Sequence, residues 1–109
     1  MPDYRYCQAI TTTDSREAAD ALSRSAVEAR VAACGQVAGP IQSTYWWQGR
    51  VDTAEEWCVV FKTTAERYPA LERHIREHHG YDVPEIILIP IVAGNPSYLT
   101  WVGTETAVT

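Results

Sequence analysis

An α+β sandwich is the fold class this chain predicts, on three observations. Trp57, Val59 and Phe61 alternate with Cys58, Val60 and Lys62, the period of two expected of a strand with one apolar face. Ala18, Ala19, Leu22, Ala26 and Ala29 recur at helical spacing. Gln48-Gly49 lies between two β-rich runs and reads as a tight hairpin turn, the glycine supplying the positive φ such turns need.

The elements follow in order. Tyr4 to Thr12 is rich in aromatic and β-branched residues and predicts a strand. Thr13-Asp14-Ser15 supplies an N-cap, with Asp14 and Glu17 at capping-box spacing. Residues 15 to about 30 then form an amphipathic helix whose small residues let it lie close to a sheet. β character returns at Ala32, is broken at Gly39-Pro40, and continues through Ile41 to Trp47 before the hairpin and its return strand. Thr63 or Thr64 caps a second helix, with Pro69 in its first turn, where a missing N–H costs little. Leu71, Ile75 and His78 or His79 mark the inner face of that helix, and Gly80 is its stop. Ile86 to Val92 predicts a strand buried on both faces, with Pro90 implying an edge or a bulge. Asn95-Pro96 opens a short terminal helix, a cap followed by an N1 proline. The order β-α-β-β-α-β plus a C-terminal helix is the split βαβ, ferredoxin-like pattern, with residues 1–109 as a single domain.

A domain of 109 residues buries only about 65% of the surface its unfolded chain exposes. Four Trp and six Tyr are more aromatic surface than one small core absorbs, so burial between subunits is expected. A net charge of −5 argues against a phosphate-backbone partner, which needs a cationic stripe. Cys7, Cys34 and Cys58 are odd in number and widely spaced, which fits reduced thiols in a cytoplasm better than a disulfide framework or zinc ribbon. No apolar run approaches the roughly 20 residues that span a bilayer, and the first residues lack the pattern of a signal peptide.

All three histidines, His74, His78 and His79, occupy one predicted helix end. His74 and His78, four apart, share a face and could share a metal; His78 and His79, about 100° apart, could do so only if the last turn unwinds. The alternative is that they complement the helix dipole and cap carbonyls. Lys62, Glu56, Tyr45, Tyr81 and Glu85 are polar groups flanked by apolar strand, and Glu85, at the mouth of a buried run, calls for a partner such as Lys62 or Arg50. That set reads either as an ion pair fixing the sheet or as a pocket for a small ligand. Cys34 begins a strand and reads as a small buried hydrophobe or a ligand. Trp46 and Trp47 point to opposite faces, one packing inward and the other across an interface. No G-x-G-x-x-G, P-loop, G-x-S-x-G or H-E-x-x-H is present, so binding rather than catalysis is expected. Catalysis, if any, would fall to His79, Tyr81 and Glu85 as acid-base groups.

Ala32-Ala33-Cys34, Ser43 to Gly49, Lys62-Thr63, His79-Gly80-Tyr81-Asp82-Val83-Pro84-Glu85-Ile86 and Asn95 to Trp101 occur in an order that resembles the CutA family, small trimeric proteins described as divalent-cation tolerance factors. The resemblance runs from about Ile10 to Val102. It implies a cytoplasmic homotrimer whose intersubunit clefts take copper or another divalent cation. It points to His78 and His79 as metal ligands, His79 most strongly, with His74 added by spacing. The ligand cleft expected from the residues themselves comprises Lys62, Tyr45, Trp47, Glu56, Tyr81, Glu85 and Cys34. CutA architecture is also similar to that of PII-type signalling trimers, which implies a small anionic metabolite as the alternative ligand. Two positions depart from the family pattern: Gly80 stands where a proline is usual, and Thr11 where members proposed to bind copper can carry a cysteine.

Overall fold

The computed structural model describes residues 3–108. It contains β1 (Tyr6–Thr13), α1 (Arg16–Glu28), β2 (Cys34–Trp47), β3 (Arg50–Thr64), α2 (Tyr68–His78), β4 (Ile86–Ile91) and α3 (Pro96–Glu105), the order expected. The four strands form one antiparallel sheet in the order β2-β3-β1-β4.

Strand alternation decides which side of the sheet the helices cover. Val59 and Phe61 point one way with Ala9, and Ala19, Leu22 and Ala26 of α1 close over them with Leu71 and Ile75 of α2. Leu71, Ile75, Val59 and Phe61 are wholly buried, so this is the core. On the other side, Cys34 stands in register with Lys62, and α3 packs there against β3 and β1, burying Val102.

Local chemistry sets the element ends, not always at the residue expected. Ser15, one residue beyond Asp14, caps α1: its Oγ accepts from the Ala18 N–H at 3.1 Å, so no capping box forms with Glu17. Thr64 Oγ1 accepts from the Arg67 N–H at 3.1 Å, capping the turn before α2 rather than the helix, while Thr63 donates to the Val31 carbonyl. Pro69 sits in the first turn of α2 and Asn95 Oδ1 caps α3 through the Ser97 N–H, both as predicted. Gly80 stands at the C′ position of α2 as expected, but its φ is not positive. The chain leaves that helix through His79 in an extended conformation, with no left-handed residue. His78 is exposed rather than part of the inner face.

Gln48 and Gly49 both have positive φ, 50° and 77°, and Trp47 pairs with Arg50 across them. This is a primed two-residue turn, whose twist matches that of the strands it joins. The ribbon it closes is long: β2 has 14 residues and β3 has 15, against 8 and 6 in β1 and β4. Pairing of β3 with β1 ends at Trp57↔Thr13, so the ribbon beyond it has no third strand. That projection makes the chain 44 Å long, with a radius of gyration of 14.5 Å where about 13 Å is usual for this length.

Three burial expectations are corrected by this geometry. β4 is an edge strand, consistent with Pro90, but it is not buried on both faces: Ile87 and Ile89 are 46% and 40% exposed. Trp46 and Trp47 are 75% and 58% exposed, so neither packs inward, because both stand on the projecting ribbon. Glu85 is exposed and forms no ion pair among the described residues, and Lys62 Nζ instead donates to Gln36 Oε1.

Candidate functional site

The residues expected to act together fall into three groups. The first is built where α2 ends beside the end of β1. His79 stands just past the helix, half-buried, with Nε2 2.7 Å from the Thr12 carbonyl oxygen and Nδ1 3.0 Å from the Tyr81 backbone nitrogen. A carbonyl only accepts and an N–H only donates, which assigns the ring proton to Nε2 and leaves Nδ1 as acceptor. Tyr81, its ring 4.9 Å from that of His79, donates its hydroxyl to Glu56 Oε2 at 2.8 Å. Burial raises the Tyr81 phenol far above its ordinary range, and the Glu56 carboxylate, Asp14 and Tyr45 push the same way. Hydrogen bonds and ring contact thus join His79, Tyr81 and Glu56, and Tyr45 acts on the same phenol only through its charge.

Lys62 and Cys34 form the second group. Six residues of β3 separate Lys62 from Glu56, about 20 Å of strand, so they share no cleft within one chain. Around Cys34, Tyr98 of α3 brings its hydroxyl to 3.5 Å from Sγ, and burial with that contact pushes the Tyr98 phenol up to about 12. Glu85 belongs to neither group: its charge acts on Cys58, whose thiol is raised by burial first and by Glu85 second. Trp47 stands at the hairpin, opposite Arg50.

His74 and His78 make the third group, their rings stacked at 4.1 Å. His74 Nε2 lies 2.8 Å from Ser25 Oγ; that hydroxyl already donates to the Leu22 carbonyl and therefore accepts from the ring. His78 Nδ1 donates to the His74 carbonyl at 2.8 Å. Among the described residues one nitrogen on each ring has no partner, His74 Nδ1 and His78 Nε2, while both nitrogens of His79 are engaged. The three histidines expected to share an ion therefore do not converge, because α2 ends between the second and the third. Among the described residues no group of three His, Cys, Asp or Glu could hold a metal.

Sequence reasoning missed Asp14, Gln36, Tyr98 and the Thr12 carbonyl. Asp14 was read as a cap, which Ser15 supplies instead, and the others carry no local pattern that points to a site. No described helix is long and apolar enough to cross a membrane.

Residues 7–105 match the family model described as CutA1 divalent ion tolerance protein. The chloroplastic protein CutA 1 of Oryza sativa subsp. japonica is 39% identical over 95 residues, covering 87% of this chain and 54% of that protein. The divalent-cation tolerance protein CutA of Thermus thermophilus is 37% identical over 97 residues, covering 89% of this chain and 94% of the relative. The chain thus spans about half the length of the plant relative and nearly all of the bacterial one. In three dimensions the CutA1 crystal structure from Oryza sativa superposes with a TM-score of 0.93 at 35% identity, covering 97% of each chain. Sequence, order of elements and backbone agree, and the chain belongs to the CutA family of divalent-cation tolerance proteins.

Proposed function

We propose that this chain works as a homotrimer that binds a divalent cation, copper among them, in clefts between subunits. The observation that carries the assembly is the projecting ribbon of β2 and β3. A two-stranded ribbon alone is marginal in water, yet this one bears Ile41, Tyr45, Trp46, Trp47 and Val51, all exposed in the single chain. Ile87 and Ile89 add apolar surface on the opposite edge strand. Closed assembly covers that surface and both sheet edges at once. It would also place one subunit's ribbon against another's sheet, where residues about 20 Å apart along one chain can meet across an interface.

For the cation, the relatives' name is the support, and the free nitrogens of His74 and His78 are the ligands available. Two imidazoles suit copper or zinc, with the remaining positions filled by water or a neighbouring chain. His79 leaves the ligand set, both its nitrogens being engaged. Three unpaired cysteines fit a reducing, cytoplasmic setting. Titrating copper into wild type and His74→Ala,His78→Ala by calorimetry is the test. Unchanged binding in the double variant removes the histidine site.

One observation favours a second reading: Lys62 makes no carboxylate pair among the described residues and stands beside Cys34 and Gln36. An unneutralised ammonium there suits a small anionic metabolite. Whether copper or an anion raises the melting temperature separates the two readings. Acid-base catalysis has the least support, since Tyr81 is locked to Glu56 and Glu85 stands apart.

A further inference from the structure

Loop 79–85 is tied down by one side chain at each of two points. His79 bridges the strand and its own loop, Nε2 on the Thr12 carbonyl of β1 and Nδ1 under the Tyr81 N–H. Two residues on, the Tyr81 hydroxyl ends on Glu56 Oε2 of β3. A neutral imidazole donates from one nitrogen and accepts at the other, which these two contacts require. At the far end of the chain of bonds, the charges of Asp14, ahead of α1, and of Tyr45, on β2, add to the hold on the same phenol's proton. The loop otherwise makes little packing contact: Val83 is 89% exposed, and nothing lies within 4 Å of where a side chain at Gly80 would begin. A segment with so few apolar contacts is held by its polar ties.

We propose that His79 is the positioning residue of a latch that holds Tyr81 over Glu56, so that a cationic ligand reaches Glu56 Oε2 only by displacing the Tyr81 hydroxyl. The hydroxyl gives Glu56 one donor in place of solvent or an ion. A cation in place of that hydroxyl pairs a full charge with the carboxylate, a stronger contact than a neutral phenol donor makes. The shielding part rests on the reading that the chain binds a cation; the latch itself does not, and is measurable with no ligand present.

Histidine ring nitrogen shifts of the wild-type protein come first, and they require no variant to fold. Nitrogen-15 spectra placing the His79 proton on Nε2 support the bridge, and the Nδ1 proton overturns it. His79→Ala is then followed by phenol titration and by exchange of the Tyr81 amide. The latch requires the Tyr81 phenol to fall toward the ordinary value of about 10 and its amide to exchange at least about tenfold faster. Tyr68 and Tyr98 serve as internal controls, since burial with the Glu72 and Cys34 contacts holds both near 12 in the folded chain. A folded His79→Ala protein in which Tyr81 keeps its high titration and protected amide overturns the latch. For the shielding, Tyr81→Phe in a His74→Ala,His78→Ala background, which lacks the histidine site, should bind Zn²⁺ about tenfold more tightly than that background alone, as expected for removal of one charge-assisted hydrogen bond. Adding Glu56→Gln should abolish the gain. Equal Zn²⁺ affinity in that background with and without Tyr81→Phe overturns the shielding and leaves the bridge to be judged by the spectra.

Discussion

His74 shows how the neighbours of a histidine set how firmly it holds a proton. Its ring is half-buried against Ser25 and stacked on His78, so burial first and the His78 charge second lower its pKa, with Glu77 opposing. The folded chain therefore holds that proton less tightly than the unfolded chain, and stability falls as pH drops below the unfolded value of about 6.5. Urea unfolding at pH about 7.5 and about 5.5 should show this loss in wild type, and His74→Gln should reduce it. An unchanged pH dependence in the variant would assign the effect elsewhere. Cys7 offers a simpler check. It is wholly buried, and desolvation pushes its thiol up to about 11. Iodoacetamide at neutral pH should leave Cys7 unmodified in the folded protein and label it only after unfolding, read by peptide mass. Glu85, expected to be a buried ion-pair member, is exposed, so Glu85→Gln should change stability by no more than about 0.5 kcal/mol.

Among the elements, α1 tests whether capping is assigned correctly. Ser15 holds the Ala18 N–H, whereas Asp14 holds no helix donor, so Ser15→Ala should cost about 1 kcal/mol and Asp14→Ala clearly less. Equal losses would mean that the helix begins one residue earlier. In β2 the irregularity between Ala38 and Ile41 has a packing reason. Gly39 has φ of 155°, and a Cβ there would lie 2.7 Å from Cδ1 of the Trp57 ring. Gly39→Ala should therefore destabilise by about 1–3 kcal/mol, measured by thermal melting, since the ring or the bulge has to shift.

At the scale of the molecule, the ribbon sets the expectation. Light scattering of wild type at micromolar concentration should give about three times the chain mass of 12.2 kDa. Trp47→Glu and Ile87→Glu place charges on apolar surface at the ribbon and at the edge strand, and each should lower the assembled fraction while leaving the monomer fold intact. A stable wild-type monomer would mean that the exposed aromatic surface serves another partner.

What the sequence determined by itself are the features written in adjacent residues. The alternation of Trp57, Val59 and Phe61, the Gln48-Gly49 turn and the Asn95-Pro96 start each depend on a few neighbours, and each stands as read. From these the order of elements follows, and with it the ferredoxin-like class. Tertiary structure alone decided the partners of the site. His79 and Thr12 are 67 residues apart, Cys34 and Tyr98 are 64, and Tyr81 and Glu56 are 25. Such pairings are set by strand register and by where the loops close, and a slip of one residue would turn every side chain of a strand to the other face. Hence His79 could be recognised as important from sequence, but that its two ring nitrogens meet the Thr12 carbonyl and the Tyr81 N–H became visible only in the folded chain.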